Sequence, residues 1–419
     1  MQTILSQFEM SEIRNQNVFA GKIMILNVQE VNRGIKPVIV VVAYRRLHTL
    51  QRLLRSIGNA IYNVDDITLI ISIDYHPENQ DVVKCAEAFE WKYGHKIVRT
   101  HQKNIGLRSH IIECGDYSVE YGAAIILEDD LVVAPSYYEY TRLAHEFYKD
   151  NTKIAGVSLY AHEWNGYVGK RFQPIRKDGD VYFGQFSCTW GESWTGNQWT
   201  EFRQWYKLNP QIKIDELMPP SIYEWKESWG KYFARYLVET NRYYVMPYKP
   251  VSTVFGETGT HASRMELDVQ VALYWGHDNC KFIPFEEGIH YDLFFESIDI
   301  KSFLAKKYDI SEADICIDLY ALNKRKYGGK RYVLTARKLN CCVIDQYELN
   351  MRPHDINVLL DMKGKGIYFY DTLKKKSDKE YRPDIRLEYD FAGVHSAAAL
   401  SYVWKHSWKV VSQYFKNRK

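Results

Sequence analysis

Buried strands that alternate with amphipathic helices dominate the first third of the chain. The segment "PVIVVVAY" (37–44) is a continuous run rich in β-branched residues, which is typical of a strand buried on both faces of a sheet. The segment after it, "RRLHTLQRLLRSI" (45–57), places leucines at helical spacing. The same alternation continues with strands at 67–74, 96–101 and 123–127 and helices at 81–94 and 110–122. This pattern predicts an α/β protein with a parallel, doubly wound sheet.

Polar residues follow three of these strands at the point where each strand ends. Tyr44-Arg45-Arg46 follow the first strand, Asp74 ends the second, and Glu128-Asp129-Asp130 follow "AAIIL". In doubly wound sheets, ligands bind beyond the carboxyl ends of the strands. We therefore expect a functional site at this edge of the sheet.

Three adjacent carboxylates interrupt the apolar segment "AAIILEDDLVVAP" (123–135). Acidic residues are ordinary in a solvated turn or at a helix N-terminus. Here, however, the extended segment "LVVAP" follows them, and the better helix start is Pro135-Ser136. Adjacent carboxylates repel one another, so a cation should offset them, and hard oxygen ligands suit Mg²⁺ or Mn²⁺. The triplet therefore predicts a site for a metal ion and a nucleotide.

The segments "VVVAYRR", "IISID" and "IILEDDLVVAPSYYEY" resemble, in this order and spacing, the nucleotide-sugar domain of GT-A glycosyltransferases. Within that fold they are most similar to the Golgi N-acetylglucosaminyltransferases that initiate complex N-glycans. The resemblance covers residues 36–275, is most specific at 125–140, and fails beyond residue 300. It implies an inverting transferase that uses a UDP-sugar and Mn²⁺ or Mg²⁺.

The resemblance also implies roles for individual residues. Asp130 would be the direct metal ligand, and Glu128 and Asp129 would face the ribose and the donor sugar. Asp74 would contact the uracil or the ribose. The residues that would line the nucleotide pocket are Ala43, Tyr44 and Arg45.

Two further residues are candidates for contacts with the donor. Arg108, in "NIGLRSH", would reach a phosphate, although an exposed arginine is the plainer interpretation. His261 lies in "VFGETGTHASRM" (254–265), which resembles the mobile segment that closes over the donor in this family. It would contact the pyrophosphate or the metal, although a lone loop histidine more often does neither.

An inverting transfer needs a base that deprotonates the incoming hydroxyl, and a single carboxylate suffices. Glu227 lies between Trp225 and Trp229, where the related transferases have an acid between two tryptophans, and it is our first candidate. Glu192, in "CTWGESW", is the second, because some GT-A enzymes place their base after a similar Trp-Gly pair. Either residue could instead be an ordinary glutamate on a helix surface.

The composition of the chain limits its possible binding partners and its cellular compartment. The net charge of +3 gives no argument for nucleic acid, and the 15% of aromatic residues suits either a sugar-binding cleft or a bulky core. Seven cysteines without a CxxC motif suggest reduced thiols in a cytoplasmic protein. The first residues lack the pattern of a secretory signal. The longest apolar runs are about seven residues, whereas a membrane span needs roughly 20.

The pattern divides the chain into four regions. They are an N-terminal extension (1–35), the GT-A domain (36–300), a basic linker with a small β-rich appendage (301–393) and a terminal amphipathic helix (394–419). Within the appendage, "NVLLDM" and "GIYFYDT" read as short strands.

The predicted terminal helix has one apolar face that carries Trp404 and Trp408, and from Ser396 onward it has five Lys or Arg and no acidic residue. Such a helix either packs on its own protein or lies in an anionic membrane surface. The tryptophans and the uniform charge favour the membrane. This places the protein at the inner face of the cell membrane.

Together these features predict a cytoplasmic, metal-dependent, inverting glycosyltransferase with a saccharide acceptor carried on a lipid, in cell-surface polysaccharide synthesis. One alternative is a non-catalytic protein on the same fold that binds nucleotide sugars or carbohydrates. Another is a nucleotidyltransferase, but such enzymes usually carry a glycine-rich basic loop just after the first strand, and the absence of glycine from "AYRRLHTL" counts against it.

Overall fold

A nine-stranded sheet forms the centre of the protein, as described by a computed structural model. The structure describes residues 34–225, 228–257, 267–277, 280–322 and 327–375, together with 400, 401, 404 and 407. The strands of the sheet are β1 (Val38–Ala43), β2 (Leu69–Ile73), β3 (Lys96–Thr100), β4 (Ala123–Glu128), β6 (Ile154–Ser158), β9 (Val181–Gly184), β10 (Glu192–Thr195), β11 (Tyr243–Pro247) and β13 (His290–Tyr291). Two small pairs accompany them: β5 (Leu131–Val133) with β12 (Ser252–Val254), and β7 (Trp164–Asn165) with β8 (Lys170–Arg171).

The strand order is β13-β9-β11-β6-β10-β4-β1-β2-β3. Strands β1 to β4 are parallel to one another. Strand β10 is antiparallel to both of its neighbours, β4 and β6, so β6 and its parallel partner β11 point the same way as β4. Strand β9 is antiparallel to β11, and β13 is parallel to β9. The sheet is therefore mixed rather than wholly parallel as predicted, and the six strands that point the same way share one carboxyl edge.

Helices cover both faces of the sheet. The first face carries α1 (Leu47–Gly58), α2 (Gln80–Ala88) and α4 (Tyr137–Tyr148). The second face carries α3 (Leu107–Tyr121), α5 (Gly196–Leu208) and α7 (Trp229–Thr240), and a single turn, α6 (Pro220–Tyr223), precedes α7. Strands β1, β2 and β4 are buried along nearly their whole length because both faces are covered. This confirms the four predicted strands and the α/β class.

Two predicted elements differ from the structure. The helix predicted at 81–94 ends at Ala88, where the Lys96 ammonium donates to the backbone carbonyls of Ala86 and Glu87 in the last turn and of Phe89 just after it. The segment "NVLLDM" (357–362), predicted as a strand, lies with its first half in a short helix, α9 (Asp355–Leu359), and its second half is not a strand either. A short apolar run does not by itself distinguish a strand from a buried helical turn.

The second sheet lies in the region predicted as a β-rich appendage. Its four strands, in the order β14-β15-β17-β16, are β14 (Ile315–Asp318), β15 (Tyr332–Thr335), β16 (Cys341–Tyr347) and β17 (Ile367–Lys375). The predicted strand "GIYFYDT" is confirmed as part of β17. Helix α8 (Asp299–Tyr308) buries Ile300 and Leu304 against this sheet. The sheet therefore has an apolar core of its own.

Much of the predicted terminal helix lies outside the described residues. Of the described residues in it, Leu400 and Trp404 are helical and exposed. The N-terminal extension (1–33) also lies outside them. Among the described residues, no helix is both long enough and apolar enough to cross a bilayer.

Among the described residues, three histidines are buried, and none of the three forms an ion pair with a described carboxylate. His110 contacts the Ser72 hydroxyl at 2.7 Å, and His145 contacts the Ser193 hydroxyl at 2.7 Å. His162 lies among aromatic rings. Burial lowers the pKa of His110 to about 4 and the pKa of His145 and His162 to about 3. All three are therefore neutral in the folded protein at neutral pH.

These histidines should make the fold sensitive to acid. Their folded pKa lies below the unfolded value of about 6.5, so between pH 6.5 and 4 the unfolded chain binds more protons. We expect the free energy of unfolding to fall as the pH falls through this window, by up to about 1.4 kcal/mol per pH unit for each histidine. Urea unfolding of His145→Gln should show a shallower loss than the wild type. The exposed-site control His95→Gln should match the wild type, and equal slopes for all three proteins would contradict the assignment.

Candidate functional site

Side chains from two neighbouring strands meet at the carboxyl edge of the sheet. Strands β1 and β4 are hydrogen-bonded in parallel, with Val42 opposite Glu128. The residues that follow β1, Tyr44-Arg45-Arg46, therefore lie beside the carboxylates at the end of β4. We call Glu128, Asp129 and Asp130 the acid cluster.

Arg46 is the cation that holds the acid cluster. Its guanidinium Nη2 donates to Asp129 Oδ1 and, at 3.0 Å, to Asp130 Oδ2. The Asp129 side chain is 5% exposed, whereas that of Asp130 is 25% exposed. One arginine thus joins a buried carboxylate to one that faces solvent.

The acid cluster carries more negative charge than Arg46 can offset. Burial and the neighbouring Asp130 and Asp129 raise the pKa of Glu128 to about 8. Burial raises the pKa of Asp129 to about 6, although Arg46 acts in the opposite direction. Three carboxylates and one guanidinium would leave a charge of −2 if every group were ionised, so the cluster favours a further cation.

The donor set fits a hard divalent cation in part. Oxygen ligands suit Mg²⁺ and Mn²⁺, and such ions keep several waters and bind through one or two carboxylates plus substrate phosphates. Asp130, whose side chain is 25% exposed, fits that role. Among the described residues, however, no group of three His, Cys, Asp or Glu side chains is arranged to hold a metal ion by itself. Phosphate and water would have to complete the coordination.

Glu192 lies directly beside the acid cluster but is enclosed by the sheet. It begins β10 opposite Ile126 of β4, and its residue is 2% exposed. Burial, and next the charge of Glu128, raise its pKa well above the ordinary range. Its Oε2 atom makes no hydrogen bond to the described residues. Glu192 is therefore a neutral carboxylic acid that is buried in the sheet next to the acid cluster.

Asp74 organises a loop with its carboxylate. Its Oδ1 accepts from the backbone N–H of Tyr75 at 2.8 Å and of Ile105 at 3.0 Å. Its Oδ2 accepts from the backbone N–H of Gly106 at 3.0 Å. These bonds fix the loop that leads into α3, so most of the acceptor capacity of Asp74 is already used.

Asn79 joins two strand ends, a role that the sequence did not indicate. Its side-chain amide donates to the carbonyl of Tyr44 at 3.2 Å and to the carbonyl of Asp74 at 2.8 Å.

Arg46 was also not singled out, since the resemblance pointed to Arg45. Arg45 is exposed and lies near the Tyr44 ring, 5.8 Å from its centroid. The residue order gives no signal for Arg46 beyond its position one residue closer to α1.

The other predicted nucleotide contacts lie along the same edge. Ala43 is buried at the end of β1, and the Tyr44 ring makes an edge contact with His76 at 5.3 Å. Arg108 lies in the first turn of α3, with its guanidinium 5.2 Å from the centre of the Tyr232 ring. The structure thus brings Ala43 and Tyr44 next to the acid cluster, and places Arg108 over α7.

The β5–β12 pair borders the acid cluster on its other side. Leu131, which follows Asp130, is paired with Val254. Beyond β12, Glu257 forms a bidentate ion pair with Arg52 of α1 at 3.0 Å. The predicted residues Glu227 and His261 lie outside the described residues.

No protein family model matches the chain. No curated protein matches it either.

The account of Arg46 can be tested by removing its charge. Arg46→Met leaves Asp129 buried without its cation, so we expect a loss of about 2 kcal/mol of unfolding free energy in urea titrations at pH 7.5. The exposed neighbour supplies the control, because Arg45→Met should cost less than about 0.5 kcal/mol. Equal effects of the two substitutions would show that Arg46 does not hold the cluster.

Proposed function

We propose that this protein is an inverting, metal-dependent glycosyltransferase that moves a sugar from a UDP-sugar to a saccharide acceptor, on a GT-A type of nucleotide-sugar domain. The observation that carries the proposal is the acid cluster, held by Arg46 at the carboxyl edge of an α/β sheet. This edge is where such sheets bind nucleotides. The resemblance of the segments around Glu128 to GT-A enzymes supports the same activity.

A divalent ion, held by Asp130 together with the donor phosphates, would stabilise the negative charge of the departing nucleoside diphosphate. Arg46 keeps Asp130 oriented and neutralises Asp129. Glu128 and Asp129 would accept hydrogen bonds from the hydroxyls of the ribose and the donor sugar. Because their pKa values are raised, the arrival of a cation would also favour their ionised forms.

The nucleoside would lie over the residues that follow β1 and β2. Tyr44 is partly exposed beside the acid cluster and offers a ring at this edge. Asp74 would contribute mainly through the loop that it holds, since three backbone N–H groups already occupy its carboxylate.

Glu227 remains the better candidate for the base, although it lies outside the described residues. Helix α7 precedes β11, which points the same way as β4, so the first turn of α7 lies at the carboxyl edge. Ser228 caps this helix by accepting from the Lys231 backbone N–H. Glu192, the alternative, is buried with a raised pKa, and a neutral acid cannot accept a proton.

We place the reaction at the inner face of the cell membrane, on a lipid-linked saccharide in cell-surface polysaccharide synthesis. The basic, tryptophan-bearing segment at 394–419 is the feature that supports this location. A non-catalytic protein that binds nucleotide sugars or carbohydrates is the second candidate. This second candidate is favoured because Arg46 already donates a hydrogen bond to Asp130, the proposed metal ligand.

The metal assignment predicts a loss of activity at one position. Asp130→Ala should lower Mn²⁺-dependent hydrolysis of a UDP-sugar on the order of 10²-fold or more, because it removes the protein ligand of an ion that contributes several kcal/mol. The exposed Asp81 supplies the control Asp81→Ala, which should keep wild-type rates. Full activity of Asp130→Ala, or of the wild type in excess chelator, would contradict the assignment.

The base assignment predicts a different kinetic pattern. Glu227→Gln keeps the side-chain shape but cannot accept a proton, so kcat should fall roughly 10²-fold or more while the affinity for the donor stays unchanged. Glu224→Gln, at an exposed position three residues earlier, should behave as the wild type. A large loss in Glu192→Gln together with a normal Glu227→Gln would transfer the role to Glu192.

A further inference from the structure

A series of ring contacts runs from Trp190, which precedes β10, to Trp225, which precedes α7. We call its five members, Trp190, His162, Phe295, Tyr167 and Trp225, the aromatic strip. The ring centres of successive members are 5.9, 5.4, 5.6 and 6.4 Å apart. The strip therefore reaches from Trp190, two residues before Glu192, to Trp225, two residues before Glu227 in the sequence.

One end of the aromatic strip is fixed beside the acid cluster. Trp190 accepts a hydrogen bond at its carbonyl from the Ser252 hydroxyl, and Ser252 is paired with Val133 of β5. Gly191 has φ +98, and a Cβ there would lie 3.0 Å from the Ser252 hydroxyl. Because only glycine fits this close turn without strain, the position of Trp190 is set by the backbone.

The other end is fixed beside the first turn of α7. The carbonyl of Trp225 accepts from the Lys231 ammonium at 2.7 Å. A Cβ on Gly230 would lie 3.3 Å from the Ser187 hydroxyl, so the start of α7 packs against the segment that leads to Trp190. The centre of the strip is rigid as well, since Phe295 stacks on Phe186 at 4.1 Å.

The exposed members of the strip suit a small ligand rather than a protein. Trp225 is 37% exposed, and Tyr167 is partly exposed beside it at an interplanar angle of 35°. A fully buried aromatic side chain contributes about 150–250 Å², so two partly exposed rings fall far short of the roughly 800 Å² per partner of a stable protein interface.

We propose that Tyr167 and Trp225 form the platform on which a pyranose ring of the saccharide acceptor stacks, with Trp225 as a specificity-determining residue. The identification of the bound sugar as the acceptor rests on the proposed function. A pyranose presents a face of C–H groups that packs on an aromatic ring, while its hydroxyls stay free to meet polar groups at the edge. Neither ring is among the residues assigned to the donor.

The test uses the full-length protein and three soluble probes: lactose, cellobiose and N,N′-diacetylchitobiose. Saturation-transfer NMR should detect binding of at least one of them, with the strongest transfer to protons on one face of a pyranose. Trp225→Ala should weaken that binding about tenfold or more, and Trp225→Phe should retain most of it because a ring remains. Trp275, which is 69% exposed and outside the strip, supplies the control Trp275→Ala, which should bind as the wild type.

The inference is overturned if none of the three sugars binds the wild type, or if Trp225→Ala binds as tightly as the wild type. Titration of the same samples with UDP and Mn²⁺ separates this outcome from failure of the proposed function. UDP binding without sugar stacking on Trp225 rejects the platform alone. Sugar binding that depends on Trp225 without any UDP binding keeps the platform and rejects the transferase.

Discussion

The hydrogen bonds from Arg46 to Asp129 and Asp130 are the interaction on which the candidate site depends. They form because β1 and β4 are neighbours, so the turn after one strand meets the carboxylates at the end of the other. Without this arginine, three carboxylates would face one another at a largely buried sheet edge, where their repulsion is weakly screened. The same turn brings Tyr44 to the edge, and Asn79 ties its carbonyl to the end of β2.

The fold was predictable where burial leaves a strong pattern in the sequence. The apolar, β-branched runs at 37–44 and 67–74 predicted two buried strands, and helical leucine spacing predicted α1. The reversed strand β10 was not predicted, since "ESWT" is short and carries a glutamate. Strand direction depends on pairing with β4 and β6, which are distant in sequence, and such pairing leaves no local periodicity.

The candidate site was predictable in its location but not in its internal contacts. The acidic residues at the end of β4 marked the edge, because charges seldom interrupt a buried run without a partner. The partner itself, Arg46 rather than Arg45, follows from side-chain direction in a turn, which residue order alone does not give. Glu192 illustrates the same limit. The sequence was compatible with an exposed glutamate after a Trp-Gly pair, but the strand lies in the middle of the sheet, which buries the residue.

The central claim is that the acid cluster binds a nucleoside diphosphate through a divalent ion. Isothermal titration of the wild-type protein with UDP, in Mn²⁺ and separately in EDTA, tests it most directly. The account predicts saturable binding in Mn²⁺ that weakens at least tenfold in EDTA, a difference of about 1.4 kcal/mol or more. Equal affinity in the two buffers, or no binding of UDP in Mn²⁺, would contradict it.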